Sequence, residues 1–461
     1  MRTATICTTA GAACYGLAAV GAFTSAPTSV TRSSWRSSGA RLGGGGGGAP
    51  RSAVFPTESS AAGRGDESEE SRRGGRGGRR GAGKRHRATL LGNLDLKPGY
   101  RLFDTVPPPA AMEIARKSDD VDLDVGGKPP YDVDPFKLAS KDLSPFTDTI
   151  KELVESEHPV LSMAAKHFFE KRHGKRFRPT IVALMALATC QKPMNEHRES
   201  VEYTRQGQLG QITEMIHVAS LIHDDVLDEA EVRRGGMAVH KLYSNKVAVL
   251  AGDYLLARAS VLLARLNDVQ VVEIMATALD SLVQGEIMQL KMDPEKMLDI
   301  SQYLRKSYYK TASLITNACK SCALLGGHAF DSDVATAAEE YGYHMGLAFQ
   351  IVDDILDIVG AADVLGKPAM ADMSLGLATA PILYAAETAP ELKKIVKRRF
   401  KNNGDKEAAL KVVLEGDAVE RSRELARWHA QRAVDAVLRL PPSQARDGLV
   451  NVCHIVLTRN K

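Results

Sequence analysis

The chain has 461 residues, of which 44% are hydrophobic and 25% are charged, and its formal net charge is +4. This length and apolar content suffice for a large buried core. Six scattered cysteines and no apolar run near the ~18 residues that a membrane-spanning helix needs exclude a disulfide framework and a transmembrane protein. We therefore expect a reduced protein that is soluble or peripheral to a membrane.

The first segment, residues 1–90, is predicted to be a leader that does not fold alone. It contains the glycine run Gly43 to Gly48 and an Arg/Gly block, which cannot bury enough surface to offset chain entropy. Its start is a mildly apolar stretch followed by a Ser/Thr/Arg-rich tract. This two-part form resembles plastid leaders of algae with secondary plastids, in which a Phe such as Phe23 follows the first cleavage point. Plastid targeting is the prediction, with the mitochondrion as the weaker alternative, although acidic residues at positions 66–70 are unusual for a transit peptide.

A proline-containing linker is predicted for residues 91–134, and a catalytic domain for residues 135–461. From residue 135 onward, apolar residues recur at three- and four-residue spacing, for example Ile212, Met215, Ile216, Ala219 and Ile222. This is the period of amphipathic helices, and strand-like alternation is nearly absent. With few aromatics and abundant Ala and Leu, the segment is predicted to be one all-α domain of roughly a dozen helices.

Two acidic clusters carry the strongest chemical signal. The first is Asp224-Asp225-Val226-Leu227-Asp228, and the second is Asp353-Asp354-Ile355-Leu356-Asp357. Each follows an apolar helical stretch, and residues four apart lie on one helix face. Paired carboxylates on one face repel each other unless a cation neutralises them. Mg²⁺ prefers oxygen ligands completed by substrate phosphates, so each cluster predicts a magnesium-diphosphate site.

Basic side chains accompany the acidic clusters. They lie between Lys171 and Arg178, at Arg233-Arg234 and at Lys310 and Lys367. Arg and Lys bind phosphate oxygens. We exclude nucleic acid as a partner, because the basic patches are short, lack interleaved aromatics and alternate with acidic clusters. A small diphosphate fits this pattern better.

With these motifs in order, residues 135–461 resemble the trans-isoprenyl diphosphate synthase family, and within it the plastid and cyanobacterial solanesyl diphosphate synthases. The matching motifs are Gly174-Lys175-Arg176-Phe177-Arg178-Pro179, the first aspartate cluster with Arg233-Arg234-Gly235, Gly252-Asp253-Tyr254, Gly285-Glu286, Lys310-Thr311, Phe349-Gln350 with the second aspartate cluster, and Gly366-Lys367-Pro368. The resemblance implies a single helical bundle with a central active-site cavity, a homodimer and three Mg²⁺ ions.

The resemblance also implies residue roles. Asp224 and Asp228 would hold two ions against the allylic diphosphate with support from Asp225, and Asp353 a third ion with support from Asp354 and Asp357. Neutralisation of the allylic diphosphate falls to Arg233, Lys310 and Lys367. The isopentenyl diphosphate would be bound by Lys175, Arg178, His217 and Arg234. Thr311 and Gln350 would present oxygen to the allylic cation, formed from farnesyl or geranylgeranyl diphosphate.

Product length depends on the channel beside the first cluster. Ala219 and Ser220 lie one turn before it and are small, which predicts a chain beyond fifteen carbons. The nine-unit product, for a quinone such as plastoquinone, is implied by the subfamily alone. The sequence departs from the family pattern at Ile358 and Ser244, which stand where an aromatic residue and a glycine are usual.

Three alternatives remain at this point. The first is a geranylgeranyl diphosphate synthase, which product length would distinguish. The second is a class I terpene cyclase, which would not need an isopentenyl diphosphate site or a second intact aspartate triad. The third is a catalytically silent partner subunit, although such subunits typically lose acidic motifs and both triads are complete here. His223 and His240, beside the first motif, are interpreted as structural.

Overall fold

The computed structural model describes residue 123 and residues 127–143, 146–155, 157–170, 176–233, 236–363 and 370–459. Contacts divide the chain into residues 1–87 and 88–461, and every described residue belongs to the second unit. The predicted leader thus lies outside the described residues, as do Lys175, Arg234 and Lys367.

The described chain is almost entirely helical, as predicted. Its α-helices are α1 Pro135–Leu143, α2 Phe146–Leu153, α3 Pro159–Glu170, α4 Phe177–Ala188, α5 Met194–Arg198, α6 Val201–Leu227, α7 Val239–Leu242, α8 Asn245–Arg265, α9 Val269–Lys291, α10 Ile300–Ser307, α11 Ser313–Leu325, α12 Asp333–Asp363, α13 Ala371–Ser374, α14 Ala380–Thr388, α15 Pro390–Lys397, α16 Asp405–Glu415, α17 Ala418–Val437 and α18 Gln444–Thr458. A 3₁₀ turn spans Lys296–Leu298, and a π-helical segment spans Tyr308–Ala312 between α10 and α11. Among these residues the one sheet is a two-stranded hairpin, β1 Val232–Arg233 and β2 Gly236–Met237.

The longest helices pack side by side around the core. α12 packs against α11 and α17, and α6 packs against α4, α8 and α11. On α6 the predicted apolar face is buried: Ile212, Met215, Ile216, Ala219 and Ile222 are each at most 1% exposed. The period-3.6 pattern therefore identified the inner face of this helix correctly.

Two glycines bring α12 unusually close to its neighbour. A Cβ atom on Gly346 would lie 2.6 Å from Cα of Ala312, and one on Gly342 would lie 2.7 Å from Cα of Thr316. Because real Cβ atoms do not approach other atoms so closely, only glycine permits this contact. The close approach places the π-helical segment directly against the helix that carries the second aspartate cluster.

The end of the predicted linker is attached to the bundle. The Asn451 side-chain amide on α18 donates to the carbonyl oxygens of Tyr131 and Val133, both at 2.7 Å, and its oxygen accepts from the Tyr131 amide at 3.2 Å. These bonds order the chain just before α1.

One helix corrects an expectation about membrane segments. Among the described residues, α8 is long and apolar enough to span a membrane by length and composition alone, whereas the sequence analysis expected no such segment. Its polar contacts are those of a packed helix: Tyr254 donates to the Glu155 carbonyl and Arg258 to the Leu153 carbonyl, both at 2.7 Å. At its start, Ser244 has φ 141°, a conformation that favours glycine and explains why glycine is usual there.

Candidate active site

The first aspartate cluster lies where α6 ends. Asp228 is the helix C-cap, and its backbone N–H donates to the Asp224 carbonyl at 2.8 Å. The side chain of Asp224 is 20% exposed, whereas that of Asp225 is 1% exposed. The apolar face of α6 thus anchors the helix in the core, while its last turn carries Asp224 and Asp228 to the end of the helix.

Asp225 is held by the hairpin that follows. Arg233 on β1 donates to Asp225 Oδ1 from Nη2 at 2.6 Å and from Nε at 2.7 Å. The hairpin register pairs Val232 with Met237 and Arg233 with Gly236. Asp225 therefore fixes the position of Arg233 and of the hairpin beside the first cluster.

Lys310 connects the first cluster to α9. Its Nζ lies 2.7 Å from Glu286 Oε2, 3.4 Å from Gln289 Oε1 and 3.9 Å from Asp224 Oδ2. The approach requires Gly285, where a Cβ atom would lie 2.9 Å from the Lys310 amide nitrogen. Sequence reasoning identified Gly285-Glu286 as a motif but gave Glu286 no role, because its partner is 24 residues away on another helix.

Burial controls the electrostatics of this region. Desolvation raises the pKa of Asp224 to about 7, although Lys310 opposes the shift, and Glu286 and Asp228 add to it. Desolvation also raises the pKa of Asp228. Burial alone would lower the pKa of Lys310, but Asp224 and Glu286 outweigh it, so the net shift is upward. Crowded, desolvated carboxylates such as these are stabilised by a bound cation.

The second cluster lies near the end of α12, and its first member faces solvent. The Asp353 side chain is 59% exposed, and its Oδ1 accepts from Arg459 Nη2 at 3.3 Å. The same Arg459 nitrogen donates to the Phe349 carbonyl at 2.9 Å, and the guanidinium lies 4.1 Å from the Phe349 ring centroid. Arg459, directly after α18, was given no role at the site from the sequence.

The other two members of the second cluster are engaged by the protein. Asp357 accepts from the backbone N–H groups of Ala371 and Asp372, both at 3.2 Å, and so caps the start of α13. Asp354 is 3% exposed, and both of its oxygens accept hydrogen bonds. Asp353 is therefore the member of this triad that remains available to a metal ion.

A hydrogen-bond chain joins the π-helical segment to α12. Thr311 Oγ1 donates to Gln350 Oε1 at 2.6 Å, Gln350 Nε2 donates to Asp354 Oδ1 at 2.7 Å, and Tyr303 OH donates to Asp354 Oδ2 at 2.6 Å. The predicted pair Thr311 and Gln350 is thus brought together. Tyr303 was missed, because it has no motif and contacts Asp354 across 51 residues.

Of the four residues predicted to bind isopentenyl diphosphate, the structure describes two. Arg178, in the first turn of α4, lies with Nη1 3.0 Å from Nε2 of His217 on α6. The other two members, Lys175 and Arg234, lie outside the described residues. Arg178 and His217 form a partly buried basic pair on two neighbouring helices.

The proposed channel residues Ala219 and Ser220 and the neighbouring His223 all lie on α6. Ala219 is fully buried, and Ser220 is half-buried with its hydroxyl donating to the His217 carbonyl at 2.9 Å. His223 Nε2 lies 3.1 Å from the Val249 carbonyl, and a Cβ on Gly252 would lie 2.1 Å from it. His223 therefore packs against α8, as expected of a structural residue.

The sequence is similar to known proteins of one family. Residues 158–415 match the polyprenyl synthetase family model. The chain is 44% identical over 343 residues to the mitochondrial solanesyl-diphosphate synthase 1 of Oryza sativa, covering 71% of this chain and 79% of the relative. It is 45% identical over 326 residues to a prenyl transferase of Synechocystis sp., covering 70% of this chain and 97% of the relative.

A solved structure shares the fold. The polyprenyl synthase from Caulobacter crescentus, complexed with calcium and isoprenyl diphosphate, superposes with a TM-score of 0.63 at 29% identity, over 75% of this chain and 100% of that one. This confirms the predicted all-α class, and the family match rules out the terpene cyclase alternative. The geranylgeranyl alternative is not supported, because the curated relatives that are named for a product include solanesyl, decaprenyl and hexaprenyl diphosphate synthases. The chain belongs to the polyprenyl synthetase family and is a prenyltransferase that uses isoprenyl diphosphate substrates.

Proposed function

We propose that the protein condenses isopentenyl diphosphate with farnesyl or geranylgeranyl diphosphate to form solanesyl diphosphate, an all-trans chain of nine units and forty-five carbons. The observation that carries the proposal is the position of the π-helical segment between two aspartate clusters. It places Lys310 beside Asp224 and Thr311 beside Gln350. The identity of 44% to a solanesyl synthase supports the product length.

Mg²⁺ is the proposed cofactor, with Asp224 and Asp228 holding two ions and Asp353 a third. Among the described residues, no three His, Cys, Asp or Glu side chains converge as a ready-made metal site. This suits Mg²⁺, which binds to one or two carboxylates and completes its shell with water and substrate phosphates. The raised pKa values of Asp224 and Asp228 support the fit, because a cation would stabilise these buried carboxylates. When bound, the ions neutralise charge that develops on the leaving diphosphate.

The protein side chains divide the rest of the reaction. Lys310 and Arg233 stabilise the allylic diphosphate as its carbon–oxygen bond breaks, together with Lys367, which lies outside the described residues. Thr311 and Gln350 face the resulting carbocation with oxygen. Arg178 and His217 orient isopentenyl diphosphate so that its double bond meets the cation at short range. Proton loss from the new tertiary cation restores an alkene, and the departing pyrophosphate is the proposed acceptor.

The small residues before the first cluster support a long product. Ala219 and Ser220 lie one turn before Asp224 on α6, and neither fills space as an aromatic ring would. A phenylalanine at either position would occupy the volume through which the growing chain passes. We therefore expect Ala219→Phe and Ser220→Phe to shorten the product.

A homodimer is proposed, with a second copy covering an apolar stripe on α9. Val283, Ile287 and Leu290 recur at spacings of four and three and are 65%, 48% and 55% exposed. Such a stripe is costly to leave in water. Ile287→Glu is expected to give a monomer by analytical ultracentrifugation, and a dimer that persists in this variant would contradict the placement.

Plastid import is proposed from the leader, with plastoquinone as the quinone that receives the chain. The two-part composition of residues 1–90 supports it, whereas the rice relative is mitochondrial. A reporter fused to residues 1–90 tests the proposal in an alga with a secondary plastid. Reporter in the cytosol or mitochondrion would contradict it.

The first experiment sizes the products. The protein is incubated with Mg²⁺, labelled isopentenyl diphosphate and farnesyl or geranylgeranyl diphosphate, and the dephosphorylated products are separated by chromatography. A forty-five-carbon product is expected from the wild type, and shorter ones from Ala219→Phe and Ser220→Phe. A wild-type product that stops at twenty carbons would contradict the proposed length. Asp224→Ala, which is expected to be inactive, controls for contaminating synthases.

A further inference from the structure

The hydrogen-bond chain from Tyr303 to Thr311 has a fixed direction. Both carboxylate oxygens of Asp354 accept hydrogen bonds, Oδ2 from the Tyr303 hydroxyl and Oδ1 from the Gln350 Nε2 group, so Gln350 turns its NH₂ group toward Asp354. The opposite orientation would place two acceptor oxygens 2.7 Å apart. The Gln350 carbonyl oxygen therefore faces Thr311, and the Thr311 hydroxyl donates its only proton to it.

The buried end of the chain makes this direction permanent. Tyr303 and Asp354 are each 3% exposed, whereas Thr311 and Gln350 are only partly buried. Burial raises the pKa of the Tyr303 phenol well above its ordinary value, so the phenol keeps its proton and donates to Asp354. The Tyr303 hydroxyl donates to Oδ2 of Asp354 and so keeps the carboxylate group from rotating.

We propose that Tyr303 and Asp354 are positioning residues that fix the direction of this hydrogen-bond chain, so that Thr311 presents an oxygen lone pair, and not a proton, to the allylic carbocation. A lone pair stabilises adjacent positive charge, whereas an O–H dipole pointing at the cation would destabilise it. The inference rests on the proposed role of Thr311 at the cation.

The geometry of the π-helical segment supports this role. Tyr303 on α10 and Thr311 in the segment Tyr308–Ala312 both reach α12, where Gln350 and Asp354 are four residues apart on one face. A π-turn rotates the chain less per residue than an α-turn. It therefore brings Thr311 toward the face that carries Tyr303, so that one stretch of helix supplies both ends of the chain.

A double-mutant cycle tests the proposal with Tyr303→Phe, Thr311→Val and the two combined. The readouts are the single-turnover rate of one condensation, KM for isopentenyl diphosphate, and Mn²⁺ binding by electron paramagnetic resonance without substrate. Tyr303→Phe is expected to lower kcat about tenfold while KM and Mn²⁺ affinity stay within about twofold. The double variant should be no slower than Thr311→Val, because the chain acts as a unit.

Tyr341→Phe is the matched control, because it too removes a buried phenol hydroxyl. That hydroxyl donates to the Leu449 carbonyl at 3.0 Å and takes no part in the hydrogen-bond chain. Tyr341→Phe should lower stability without lowering kcat. Equal rate losses in Tyr341→Phe and Tyr303→Phe, or additive losses in the cycle, would overturn the proposal. If Tyr303→Phe does not fold, Asp354→Asn replaces it in the cycle. The asparagine amide can donate as well as accept, so it no longer fixes which group of the Gln350 amide faces it. Its rate loss and that of Thr311→Val are expected to be non-additive in the same way. A wild type that makes no polyprenyl product would instead refute the proposed function.

Discussion

The two aspartate clusters have the same pattern of residues but different surroundings. In the first, Asp225 is buried against Arg233, while Asp224 and Asp228 remain near Lys310 with pKa values raised by burial. In the second, Asp354 and Asp357 are both engaged in hydrogen bonds within the protein. Only Asp353 remains largely exposed there.

The difference shows that the same motif can leave two carboxylates available in one cluster and one in the other. The first cluster has two carboxylates available to metal ions and the second has one, which agrees with the proposed division of three Mg²⁺ ions. The residue pattern alone treats the clusters as equivalent, whereas their third members separate them, because Asp357 accepts from two backbone N–H groups and Asp228 caps no following helix. The variants below test this asymmetry.

The largest effect is expected for the proposed metal ligands of the first cluster. Asp224→Ala should lower kcat about 10³-fold, or about 4 kcal/mol, because it removes one of the two proposed carboxylate ligands of this cluster. Single-turnover condensation measures it. Asp280→Ala on the exposed face of α9 is the control and should retain full activity; a comparable loss in both variants would mean that the effect is not specific to the cluster.

The second-largest effect concerns the two arginines that pair with the clusters. Arg233→Met should destabilise the fold by about 2–3 kcal/mol, because Asp225 is 1% exposed and would be left as an unpaired buried charge. Arg459→Met should cost about 1 kcal/mol, because Asp353 is 59% exposed and water can replace its partner. Urea denaturation measures both. Equal losses would contradict the buried-versus-exposed contrast.

A pH-dependent effect distinguishes Asp224. Its pKa is about 7 in the folded protein against an ordinary 3.8, so the folded state binds more protons and stability falls as pH rises between these values. Asp224→Asn removes this loss. In EDTA the variant should be more stable than the wild type at pH 8, with little difference at pH 4. Urea midpoints at both pH values check this; a variant equal to the wild type at pH 8 would refute the shifted pKa.

The smallest effect separates the third members of the two clusters. Asp357→Ala should cost about 1 kcal/mol of stability, because it removes the side-chain cap of α13. Asp228→Ala removes no such cap and should not lower stability in EDTA, although it should lower activity. Thermal unfolding of the two variants tests whether Asp357 is structural where Asp228 is functional.

Much of the site could be predicted because its signals are local. The D-D-x-x-D spacing, the apolar face of α6 and the small residues Ala219 and Ser220 can each be read from a few adjacent positions. These were placed correctly on helices, and the family and fold were confirmed. The predicted roles of Arg233, Arg178 and His217 remain predictions, supported by their positions.

The rest could not be predicted because it depends on long-range packing. Tyr303 and Arg459 contact Asp354 and Asp353 across 51 and 106 residues, and Glu286 contacts Lys310 across 24, so their local sequence does not reveal these partners. The apolar length of α8 was also underestimated, since its few charged residues interrupt the run without changing the character of the helix. Close glycine contacts, such as that of Gly346 with Ala312, become apparent only in three dimensions.

The π-helical segment has a consequence for insertions and deletions. A π-turn is equivalent to one extra residue in a continuous helix, so deleting one residue from Tyr308–Ala312 could restore a regular helix without breaking the bundle. Because the wide turn absorbs the extra residue, the deletion would leave Tyr303 facing Asp354 but would remove the turn that carries Lys310 and Thr311. Sequence length here is therefore a stricter requirement than residue identity, and homologous enzymes should show substitutions but no gaps across this stretch.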